Sequence, residues 1–105
     1  MEWISENYNL IVSEEARQDI DLYIDYIIYE CDAPKTAKKH YDGLIALLAK
    51  IEQNPLAFSV RTTASLLQYG HNVRRANYKK MTVIYTITGF TVYVHRVVAA
   101  SMIIE

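Results

Sequence analysis

Hydrophobic and polar positions along this 105-residue chain change period twice. The stretch "YNLIVS", Tyr8 to Ser13, is short and β-prone, and it stops at a serine followed by Glu14 and Glu15. Ser13 reads as a helix N-cap, with the two acids near the positive end of the helix dipole. Ala16, Ile20, Tyr23, Ile24, Ile27 and Ile28 then recur at spacings of three and four, which places them on one helix face. Asp19, Asp21, Asp25 and Glu30 fall elsewhere and make the exposed side acidic.

The pattern breaks at "CDAP". Pro34 suits the first turn of a second helix, with Asp32 or Ala33 at the cap. Ala37, Tyr41, Leu44, Leu48 and Ile51 carry the helical period, and Ile45 and Leu47 widen the apolar stripe. Pro55 disfavours helical geometry at Asn54 and ends the helix. So short a link predicts an antiparallel helical hairpin. Residues 55–71 show no sustained period and read as a connection with a turn of helix around Ala64 to Gln68, punctuated by Gly70.

From Asn72 the period falls to two. "NVRRANY", "MTVIYTI" and "TVYVHRVV" are rich in Val, Ile, Thr and Tyr, and Gly89 in "TGF" can supply a positive φ for a tight turn. Three consecutive strands make an antiparallel meander. Strict alternation in the last one puts Val92, Val94, Arg96 and Val98 on one face, with Arg96 the misfit, and Thr91, Tyr93, His95 and Val97 on the other. The expected fold is α+β, one domain over residues 1–105, with the helical hairpin covering one side of an antiparallel sheet and leaving the other available.

Composition adds little to this picture and charge adds more. Hydrophobic residues make up 51% and charged residues 22%, as in ordinary globular proteins. The net charge is -1, yet residues 1–54 hold five Lys+Arg against eleven Asp+Glu, and residues 55–105 hold six against one. The basic half could face phosphates or an acidic protein segment, or only balance the acidic half. One cysteine, Cys31, requires no oxidising compartment. An acidic N-terminus and the lack of a long apolar run argue against secretion and membrane insertion, so a cytoplasmic location is expected. Neither His40, His71, His95 and Cys31 nor the three glycines have the spacing of a metal site or a phosphate loop, so no cofactor and no metal is expected.

Nearly the whole chain resembles the RelE/ParE toxin superfamily, the toxin halves of bacterial type II toxin–antitoxin modules, also called plasmid stabilisation proteins. Three pieces carry the likeness: the Leu/Ile-rich helix after Ala37 that ends at Pro55; Arg74 set eleven residues before Tyr85; and "VYVHRVV" with Arg96. The order and spacing of the three pieces is specific, though none is so alone. The chain departs from the family in "VAASMIIE", where Ala99 and Met102 stand at the usual His and Arg positions.

The resemblance implies a cognate antitoxin as partner, and DNA gyrase or the ribosome with its mRNA as target. RNA cleavage by 2′-hydroxyl attack needs a base, an acid and cations to hold the phosphate, and arginine suits the last task. Arg74, Arg96 and Tyr78 are the catalytic candidates. Tyr85 and Tyr93 are further stacking or proton-transfer groups, and His71 and His95 could titrate near neutrality. Arg61, Arg74, Arg75, Lys79 and Lys80 are the target-binding candidates. Because Arg74 and Arg75 are adjacent on a strand, they must point to opposite faces. Three readings stand: a ParE-like gyrase inhibitor, slightly favoured because it needs a surface and no catalytic group; a RelE-like ribosome-dependent endoribonuclease; and a degenerate, non-toxic antitoxin-binding protein.

Overall fold

The computed structural model describes residues 8–103. The strand β1 (Asn9–Val12) leads into helix α1 (Glu14–Asp25), which continues as a π-helical turn over Tyr26–Glu30. Helix α2 (Pro34–Gln53) follows, then a 3-10 turn (Pro55–Ala57), the two-residue strand β2 (Val60–Arg61) and the short helix α3 (Ala64–Leu67). Strands β3 (Val73–Tyr78), β4 (Met81–Thr88) and β5 (Thr91–Ala99) complete the meander before a last 3-10 turn (Ala100–Met102).

Local signals act as expected at the element ends. The Ser13 hydroxyl accepts the Ala16 N–H at 3.0 Å and donates to the His95 carbonyl at 2.8 Å, so one side chain starts α1 and ties it to β5. Pro34 opens α2. Gly89 takes φ +59 in the β4–β5 turn, and Lys79 takes φ +55 at the tip of the β3–β4 hairpin.

The α+β arrangement holds, but the sheet is mixed. Its order is β1-β5-β4-β3-β2, with β1 running parallel to β5 and the other pairs antiparallel. The helices cover one face. Ala16, Ile20, Leu44, Leu47, Leu48 and Ile51 meet Ala76, Val83, Tyr85, Val92, Val94 and Val97 there. Tyr41 and Ile45, expected in that stripe, remain exposed.

Three features depart from a purely periodic reading. The register slips between Ile84, which pairs with Arg96, and Tyr85, which pairs with Val94, so His95 is the extra residue of a β-bulge. The bulge moves Arg96 off the apolar face and puts Val97 there instead, which removes the misfit. Secondly, the π turn intervenes where an unbroken α-helix would swing Glu30, three residues after buried Ile27 and ten after buried Ile20, toward the core. The wider turn leaves Glu30 exposed. Thirdly, the second sheet face is not fully open: Leu66, Val73 and Ile84 form a small core there, flanked by Tyr69, Val98 and Ile103. This is why Met81 to Tyr85 of the central strand β4 are buried without alternation.

Candidate functional site

The eleven-residue interval between Arg74 and Tyr85 is a cross-strand pair: the two sit opposite each other on β3 and β4 and face the helices. Tyr85 is fully buried and its hydroxyl donates to the Pro55 carbonyl at 2.6 Å. Burial pushes its pKa up to about 12, against the opposing pull of Arg74. The Arg74 guanidinium donates to the carbonyls of Leu56 and Phe58. Together the pair holds the 3-10 turn that follows α2, whose carbonyls have no helical partner.

Arg75 points to the second face, as adjacency on a strand requires. Its Nε donates to Thr82 Oγ1 at 3.3 Å and its Nη2 to Asn77 Oδ1 at 3.4 Å. Arg61 lies opposite Val73 and therefore on that same face. Lys79 and Lys80 form the exposed hairpin tip, with the Lys79 ammonium 6.0 Å from the Tyr78 ring centre. Tyr78 turns to the helices instead: its ring rests on Gly43, where an added Cβ would collide with it, and meets His40 edge-on. His40 Nδ1 in turn lies 2.6 Å from the Tyr23 hydroxyl.

Arg96 is held by the protein's own carboxylate. Its Nε and Nη2 donate to Asp19 Oδ2 and Oδ1 at 2.7 and 2.9 Å, and the Val97 N–H donates to Asp19 Oδ2 at 2.9 Å. This happens where β5 runs past the end of β1 and its edge N–H would otherwise lack a partner. The hydrogen bond to Asp19 is the main cause that raises the Arg96 pKa.

Beside it, the bulge residue His95 places Nε2 2.8 Å from Thr86 Oγ1, between the rings of Tyr69 and Tyr93 at 5.4 and 5.1 Å. Burial lowers its pKa, and Glu15 opposes that shift. Tyr69 was not legible as part of this group, because a bulge leaves no periodic trace and α3 reaches the sheet from a distant segment.

The candidates are therefore dispersed. Arg74 and Tyr78 lie on the helical side and Arg61 and Arg75 on the other, while Arg96, past the end of β1, reaches Asp19 of α1. Among the described residues no group of His, Cys, Asp and Glu is arranged to hold a metal ion. No described helix is long and apolar enough to cross a membrane.

Comparison with known proteins agrees with this architecture. The family described as the ParE toxin of the type II toxin–antitoxin system parDE matches residues 10–104. The chain belongs to the ParE toxin family. It is a ParE-like toxin of a type II toxin–antitoxin system. Among solved structures it is similar to a chain of the chromosomal ParDE TA system from P. aeruginosa. That likeness has a TM-score of 0.70 at 16% identity and covers 90% of this chain and 98% of the other, which makes it a likeness of fold. A comparison with curated protein sequences finds no match. In this ParE-family chain Arg74 and Tyr85 form a clasp on the end of α2.

Proposed function

We propose that this ParE-family toxin arrests growth by binding DNA gyrase through the second face of its sheet and is silenced by a cognate antitoxin. The observation that carries the reading is the disposition of the arginines. A ribonuclease needs phosphate-holding cations converging with an acid and a base. Here Arg74 on β3 and Arg96 on β5 are separated by β4 and are both engaged by internal acceptors, and Ala99 and Met102 supply no proton-transfer group. Binding a large target asks only for a surface of suitable charge and shape. Arg61 and Arg75, which share that face, supply such a surface together with Lys79 and Lys80 at the exposed hairpin tip.

The test is induction of the protein alone, followed by growth, plasmid supercoiling and transcript integrity, with purified gyrase assayed in parallel. The expected result is arrested growth, lost supercoiling and intact transcripts, with gyrase inhibition weakened by R61A combined with R75A. Cut messages with normal supercoiling would refute the gyrase target. Unchanged growth would refute the toxic role. Co-expression of an antitoxin from an adjacent reading frame should restore growth.

A further inference from the structure

We propose that the outer face of α1 and its π turn is a second docking surface, for a protein helix that carries Lys or Arg beside its own apolar stripe. Leu22, Tyr26 and Tyr29 follow one another at spacings of four and three and are 69%, 57% and 76% exposed. They therefore form a row along one side of the helix, opposite the buried Ala16, Ile20 and Ile27. Three large apolar side chains aligned in water are more than the scattered exposure common on a globular surface.

The row is lined by exposed Asp21, Asp25 and Glu30, and among the described residues none of the three is in an ion pair with a cation. The π turn contributes directly, since it is what keeps Glu30 outside beside Tyr29.

Charge selects the occupant. A second copy docked about a two-fold axis would set this acidic border against itself. Anionic lipid and nucleic acid are repelled for the same reason. A cationic amphipathic helix fits both parts of the surface: its apolar side chains cover the tyrosines and its ammonium or guanidinium groups meet the carboxylates. Long Lys and Arg stems would also lie along the tyrosine rings. The surface lies away from the sheet arginines, so the two contacts are separable.

A fluorescently labelled synthetic helix of about 15 residues, with leucines at i, i+4 and i+7 and flanking lysines, is the probe. A scrambled-order peptide and a version with glutamate for lysine are the controls. Anisotropy titration should show binding that weakens with salt, and that L22S combined with Y29S, or D25K combined with E30K, weakens about tenfold or more. R75A should leave it unchanged, as should circular dichroism and the melting temperature of both double variants. The proposal fails if the amphipathic peptide does not bind, if the scrambled peptide binds as tightly, or if either double variant binds normally. It fails equally if sedimentation shows a dimer that L22S/Y29S abolishes, or if anionic vesicles alone co-sediment the protein and L22S/Y29S abolishes that.

Discussion

Replacing Asp19 by alanine removes three hydrogen bonds at one stroke, and their separate contributions follow from exposure. The Arg96 side chain is 38% exposed and the Asp19 side chain 13%. Water can solvate the released guanidinium, so the ion pair contributes about 1 kcal/mol, not the several expected of a buried pair. The Val97 N–H faces a different fate, because it sits at a strand edge beneath α1 and loses an ionised acceptor, which costs about 1–2 kcal/mol. The expected total is about 2–3 kcal/mol, a fall in melting temperature of about 10 °C for a chain of this size. D19N keeps an acceptor for the backbone N–H and should cost only about 1 kcal/mol. Urea denaturation of D19A, D19N, R96A and the D19A/R96A pair measures all of these, and the cycle should give a coupling of about 1 kcal/mol that shrinks with salt. The reasoning is refuted if D19A lies within about 0.5 kcal/mol of wild type, or if D19N costs as much as D19A.

Three further outcomes can be checked. G43A should destabilise by about 1–3 kcal/mol, because its Cβ meets the Tyr78 ring, and the addition of Y78S should recover part of the loss despite the smaller ring contact. Y85F should cost about 1–2 kcal/mol in urea and speed amide exchange after α2, since it frees the Pro55 carbonyl while keeping the ring. Burial lowers the His95 pKa, so as pH falls through the ordinary 6.5 the unfolded chain takes up the proton first and stability declines until the folded value is reached. A shallower loss of stability in H95Q than in wild type between about pH 7.5 and 5 would agree with this; parallel curves would refute it.

Elements that rest on local periodicity were legible in the sequence. Both helices, the meander, the cap at Ser13 and the start of α2 at Pro34 follow from side-chain spacing and from the geometry of single residues. Departures arise where distant segments meet. The parallel pairing of β1 with β5 joins residues some 80 positions apart, and β2 is only Val60 and Arg61, too short for a period. The bulge at His95 exists because Arg96 reaches Asp19 while Val94 and Val97 both enter the core, a compromise that alternation along one strand does not encode. For the candidate site, the opposite orientations of Arg74 and Arg75 were foreseeable, but the carbonyls and carboxylate that engage Arg74 and Arg96 come from other elements.

The pairing of β1 with β5 also orders events in time. Among the described residues β1 has no other hydrogen-bonded neighbour in the sheet, so during synthesis it must wait, with the α1 it precedes, until residues 91–94 have left the ribosome. Closing so large a loop is slow. The half-made chain therefore stays open longest along the row that joins its two ends, and a stalled or shortened copy would be left without the surface on which α1 rests.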